Sequence, residues 1–288
     1  MSTSVSRSGA PARTGAFSAA CSAAAARPSA EPRPPSPYDA RVQTAREQKQ
    51  QAGSNGRPPE PVGSLDRPLG LGEVLAETTR LYGARIWAAL GLGAVTAATY
   101  IAGLLLPGVV AIAVVALSLA ACWAAATRLV AGDSFAEAWA QVAVRIPVLV
   151  IFAVVATVPF ALALSQLVLI VFAVVWLAGT GFAIPVSVME RPDEPLDFVH
   201  RLGWILRRSI ALARAEFFHA AGVIAALVLL TLFLSGLLVG ALQGFAENGE
   251  AAATAIAQAV LGPFFFLGLA VLYFDQRARA LSSRGGRR

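Results

Sequence analysis

The sequence predicts an all-α, polytopic membrane protein with six transmembrane helices, arranged as three hairpins that are each preceded by a cytoplasmic interfacial amphipathic helix. Three observations predict it. Only 14% of the 288 residues are charged and 57% are hydrophobic, where a soluble domain carries roughly 25% charged residues. Asp, Glu, Lys and Arg leave four long gaps: Ile86 to Thr127, Ile146 to Met189, Phe217 to Ala246 and Ala251 to Phe274. A membrane span takes about 20 apolar residues, so the first two gaps hold two spans each and the last two hold one each. On that six-span path all 23 basic residues fall on one side, which the positive-inside rule makes the cytoplasm, with both termini inside. This is not the make-up of a soluble enzyme, a nucleic-acid-binding domain or a secreted disulfide scaffold, and Cys21 and Cys122 supply no disulfide framework.

Three domains follow from composition. Residues 1–67 are Pro-, Ala-, Ser- and Arg-rich, with runs such as EPRPPSPYD and no apolar period, and are expected to be a disordered cytoplasmic tail. The stretch GAFSAACSAAAA lacks the Leu- and Val-rich centre of a signal peptide. Residues 68–280 form the six-span domain, and residues 281–288 a basic cytoplasmic end. Lys49 is the only lysine; this Arg bias and the Ala richness point to GC-biased coding, hence to a bacterial plasma membrane.

Taken in order, the first interfacial helix lies in LGLGEVLAETTRLYGARIW, where Leu71, Val74, Leu75, Leu81 and Tyr82 share a face opposite Glu73, Glu77 and Arg80. Ile86 to Leu106 is span one, Pro107 and Gly108 the turn, and Val109 to Thr127 span two. In DSFAEAWAQVAVRI, Phe135, Trp139, Val142 and Ile146 form the stripe, and Ser134 with Glu137 makes a capping box. Ile146 to Leu164 and Leu167 to Met189 are spans three and four, turning at Ser165 and Gln166. The third interfacial helix aligns Leu196, Val199, Gly203, Leu206, Ile210 and Ala213. Spans five and six, Phe217 to Leu242 and Ala251 to Phe274, are joined by QGFAENGE. The acidic openings Glu73, Glu137 and Asp197 recur at similar spacing, so the chain reads as three copies of interfacial helix plus hairpin.

Buried ionisable groups mark function in membranes, and the centre of each span has none. The helix breakers Pro159, Gly179, Gly181, Pro185, Gly262 and Pro263 are kink positions that free backbone carbonyls, either toward a cavity or toward packed neighbours. Gly236 and Gly240 form a GxxxG for close helix approach. A cytoplasmic interface is expected from His200, Arg201, Arg207, Arg208, Glu216, His219, Asp275 and Arg279. A headgroup-active enzyme would want His219 and Glu216 to converge on a cleft; otherwise these are border residues, and Asp275 with Arg279 is an i,i+4 pair closing an aromatic belt of Tyr273 and Phe274. No cofactor or metal constellation is legible.

RPLGLGEVLAETTRLYGARIWAALGLG, IPVSVMERPDEPLDFVHRLGWILRRS and LYFDQRARA together resemble bacterial six-span proteins of the glycerophosphoryl diester phosphodiesterase membrane domain family, over about Pro68 to Ala280. The resemblance implies an all-helical membrane domain that other proteins attach to a phosphodiesterase domain; the first 67 residues here are too short for such a barrel of about 250 residues. The expected function is thus a non-catalytic scaffold, partner or regulator in the bacterial envelope. Its partners are the lipid bilayer and an envelope protein docking on residues 190–216, and no nucleic acid. The alternatives are a permease component for a small solute or lipid, and a membrane-embedded lipid-acting enzyme. The oligomeric state is left open.

Overall fold

The computed structural model describes residues 67–157, 169–192, 196–243 and 249–285. The expected N-terminal tail, Pro159 and the expected turns at Ser165–Gln166 and Gly244–Asn248 lie outside the described residues. Among those residues every regular element is helical: α1 (Leu71–Ala84), α2 (Ile86–Leu105), α3 (Gly108–Val130), α4 (Phe135–Val144), α5 (Ile146–Phe152), a π turn (Ala153–Thr157), α6 (Ile170–Thr180), α7 (Ala183–Met189), α8 (Phe198–Ala213), α9 (Phe217–Gln243) and α10 (Gly249–Gly285). Five stretches are long and apolar enough to cross a membrane: Ile86–Leu105, Gly108–Val130, Val171–Met189, Phe217–Leu242 and Gly249–Ser283. A sixth qualifies only as the pair Phe135–Val144 and Ile146–Val155, which is bent by 78°. This is the helix set of a multi-pass membrane protein.

Local chemistry explains where the helices start and stop. Ser134 caps α4: its Oγ accepts from Glu137 N–H at 3.3 Å, and Glu137 Oε2 accepts from Ser134 N–H at 2.9 Å, the reciprocal box the sequence shows. The α4–α5 bend falls at Arg145, because Pro147 in the first turn of α5 has no N–H to continue the ladder. Between α3 and α4 the chain turns at Gly132, whose φ of 111° is a conformation only glycine adopts without strain.

The longest helix, α10, is the hub and packs along α1, α2, α3 and α9. Its crossing with α2 depends on Gly93: a Cβ there would lie 1.8 Å from the Ala259 carbonyl oxygen. Small residues bring helix backbones together where dispersion and hydrogen bonding, not the hydrophobic effect, drive packing.

The interfacial helices bury less of their expected stripes than their spacing implied. In α1, Val74, Thr78 and Leu81 are buried and Leu71 is exposed. In α8, the buried face is Ile205, Ser209, Leu212 and Ala213, so the expected stripe is buried at Ala213, whereas its members Leu196, Val199, Leu206 and Ile210 are exposed. Most of the expected stripe therefore faces away from the bundle.

Candidate functional site

The ends of α3, α7 and α10 meet the starts of α1 and α9 at one end of the molecule, where the charged side chains gather. Asp275 of α10 is wholly buried there. Its Oδ1 accepts from the Leu69 N–H at 2.7 Å, and Arg279 Nε donates to both its oxygens at 3.0 Å. His219 Nε2 lies 3.1 Å from Asp275 Oδ2. Arg279 Nη2 donates to the Leu69 carbonyl, and its Nη1 pairs with Glu216. Arg279 Nη2 is also 3.3 Å from His219 Nε2; a guanidinium only donates, so a proton on Nε2 directed at Asp275 makes the arginine a neighbour of that nitrogen and not its partner. A buried carboxylate is costly unless paired and hydrogen-bonded, and here it is both. The result is a clasp: one carboxylate–guanidinium pair holds both backbone groups of Leu69 and ties the chain entering α1 to α9 and α10.

A second acid is half-buried at the same end of α10. Glu190, at the end of α7, accepts from Arg208 Nε at 2.6 Å and Nη2 at 3.3 Å, and from the Tyr273 hydroxyl at 3.0 Å. Tyr273, expected in an aromatic belt at the headgroups, is fully buried because its hydroxyl has this partner inside.

Two arginines at interfacial-helix ends do a different job. Arg85 Nη1 donates to the carbonyls of Leu129 at 2.6 Å and Asp133 at 3.0 Å. Arg145 Nη1 donates to the Ser187 carbonyl at 2.5 Å. Arg85 thus reaches the end of α3, where the Leu129 carbonyl also accepts from the Gly132 N–H at 3.0 Å, and Arg145 reaches the last turn of α7.

The helix breakers resolve into specific contacts. Pro185 has no N–H for the Gly181 carbonyl, which accepts instead from Ile184 N–H at 3.1 Å, so α6 and α7 separate at Gly181–Phe182. Gly181 is also needed sterically, since a Cβ would come within 2.5 Å of the Trp123 ring. Gly179 has open space where a Cβ would be. In the π turn the Val155 carbonyl accepts from Trp176 Nε1 at 2.8 Å. Gly262 and Pro263 do not interrupt α10, which runs through them. The nearby carbonyls of Gln258 and Val260 accept from Thr96 Oγ1 at 2.9 Å and the Tyr82 hydroxyl at 3.0 Å. Gly236 and Gly240 have no described atom within 4 Å of a built Cβ, so the GxxxG face packs on nothing among the described residues.

His200 and Asp197 pair on the exposed start of α8. Arg207 and Arg214 are exposed and Arg201 is half-buried. Glu73 lies below the ordinary glutamate range, held there first by the Gly70 N–H and then by Arg67. Glu137 is likewise lowered, first by the Ser134 hydroxyl and then by its N–H. The sequence pointed to Asp275 with Arg279 as an i,i+4 pair and to His219 with Glu216 as border residues, but not to Leu69, Arg85 or Arg145. The arginines carried a signal, the recurrence of Arg-Ile at GARIW and AVRIP where an interfacial helix gives way to an apolar one; Leu69 carried none.

Between α3, α9 and α10 lies a cavity of about 160 Å³ with Thr231, Ser235 and Gln258 on its wall. No family model matches the chain, and no curated protein or solved structure matches it.

Proposed function

We propose that the chain is a six-span protein of a bacterial plasma membrane, laid out as three hairpins with both termini cytoplasmic, that works through contacts as a scaffold or regulatory partner of another envelope protein. The observation that carries this reading is the division of labour among charged residues. Arg85, Arg145, Arg208 and Arg279 are engaged with the protein's own carbonyls and carboxylates, whereas α8 turns Arg207, Val199, Leu206 and Ile210 outward. A helix with an outward apolar stripe beside arginine suits a headgroup layer and a partner seated in it. The resemblance to the membrane domain family fits such a role, since that domain accompanies catalytic domains elsewhere. A permease is the second reading, favoured by the cavity beside Gln258. The lipid-acting enzyme has less support: His219 and Glu216 do converge, but on Arg279 rather than on a cleft.

The test has two arms. In a cysteine-free background, single cysteines at Gln166 and Glu247 should react with an impermeant thiol reagent on intact cells and one at Gly285 should not; labelling at Gly285 alone overturns the orientation. Photocrosslinkers at Val199 or Leu206 in native membranes should recover one protein partner, lost with Arg207→Glu. Hydrolysis of glycerophosphodiesters by the pure protein, abolished by His219→Ala, would replace this reading with the enzymatic one.

A further inference from the structure

Hydroxyls in these helices mostly follow one rule. Thr99, Thr127 and Thr180 each donate to the carbonyl four residues back, at 2.7–2.9 Å, and Ser187 donates three residues back at 2.7 Å. This is the usual way to satisfy a hydroxyl in an apolar setting. Thr231, midway along α9, departs from the rule: its Oγ1 is buried and has no hydrogen-bond partner. A buried hydroxyl without a partner is destabilising.

Thr231 is one of the residues that line the cavity between α3, α9 and α10, and it has company there. Ser235 lies one turn along α9, and Gln258 comes from α10. Thr96 takes the Gln258 backbone carbonyl, and Gln258 is one of the residues on the wall. The remaining wall is apolar and includes Leu119, Phe265 and Phe266. No Asp, Glu, Lys, Arg or His lines it, so a charged group would enter without a counter-charge, at prohibitive cost in a bilayer. Leu232 lines the cavity and is also exposed on the outer side of α9, so the opening is lateral. The volume is about that of a cavity able to hold benzene, enough for the polar end of a lipid but not for its whole chain.

We infer that this cavity binds the hydroxyl-bearing end of an uncharged lipid, a long-chain alcohol or a diacylglycerol, which enters sideways from the bilayer and hydrogen-bonds to Thr231, Ser235 and Gln258. The amide and hydroxyls both donate and accept, so a lipid hydroxyl meets its full complement. The remaining chain runs out past Leu232 among the acyl chains. Phospholipids are excluded because their charged headgroups cannot follow to this depth.

The full-length protein in phosphatidylcholine liposomes is photolabelled with a long-chain alcohol carrying a diazirine beside its hydroxyl. Labelling should concentrate on peptides of α9 and α10 around Thr231 and Gln258. Excess unlabelled long-chain alcohol or diacylglycerol should reduce it at least fivefold, and an alkane of equal length should not; whichever of the two alcohols competes at lower mole fraction identifies the class. The double variant Thr231→Val, Gln258→Leu should lose at least 80% of the labelling with an unchanged melting temperature. Should the variant melt early, Ser235→Ala alone, at a half-exposed position, should still lower labelling about twofold. Labelling spread evenly over all lipid-facing helices, equal competition by the alkane, or full labelling of a stably folded double variant would each overturn the inference.

Discussion

The first two junctions between an interfacial helix and an apolar helix contrast with the third. At Arg85 and Arg145 the junction residue is a cation, and it donates to carbonyls at the end of α3 or α7. At the third the residue before α9 is Glu216, and it meets Arg279. The difference follows from helix length. α3 and α7 stop at Val130 and Met189, and the negative end of a helix dipole attracts a cation. α10 continues to Gly285 and offers no carbonyl end at that level, so the junction instead answers an arginine on its side. Comparable helix junctions thus carry opposite charges, because what each junction faces differs.

The largest effect is expected at the third junction. Asp275→Ala takes the acceptor from His219 and from the buried Leu69 N–H and leaves Arg279 only Glu216 and the Leu69 carbonyl, and should cost about 3–5 kcal/mol, read as a large fall in the detergent melting temperature. Arg279→Ala combined with Asp275→Ala should cost clearly less than the two single changes summed, since both belong to one network. Additive losses would show that the clasp is not a unit and would erase the contrast.

A smaller effect is expected at the first two. Arg85→Ala and Arg145→Ala each remove hydrogen bonds from a charged donor and should cost about 1.5–3 kcal/mol. Because they share no partner, the double variant should be additive to within about 0.5 kcal/mol. Lysine in either place should recover part of the loss, by charge without the planar fork; glutamate should recover none.

The smallest lies at the opening of α4, where Ser134→Ala should cost about 1 kcal/mol. Its capping partner Glu137 has a lowered pKa, so its contribution is present above the ordinary glutamate range and is lost as the pH falls through the lowered folded value. Amide exchange in α4 should therefore quicken on acidification in the wild type, and Ser134→Ala should flatten that dependence. An acid response of α4 unchanged by Ser134→Ala would assign the effect elsewhere.

Much of this molecule was legible from composition. Ile86–Leu105, Gly108–Val130 and Phe217–Gln243 start and end within a few residues of the limits set by charge gaps and by Pro107, and the capping box at Ser134 is where its spacing placed it. These are local properties: hydropathy, a missing N–H or a cap acts over one helix turn or one span, so a window of sequence contains its cause. The fate of the breakers was half legible. That Pro185 and Pro263 deprive a carbonyl of its donor follows from proline itself; that Thr96 and Tyr82 serve the stretch of α10 before Pro263 depends on how α1 and α2 cross it.

The clasp was not legible at all as a unit. Asp275 reads as the usual i,i+4 partner of Arg279, and that pair exists, but its burial and its bond to Leu69, 206 residues away, came only with the packing. Likewise α8 displays one apolar stripe in sequence and buries another. Periodicity identifies a face without saying which side the bundle occupies, and in a membrane both lipid and protein reward apolar surface. Sequence therefore determined which segments are apolar helices and where they break. Tertiary structure decided which partner each orphaned carbonyl, carboxylate and hydroxyl would find, because those bonds join residues whose proximity no local pattern encodes.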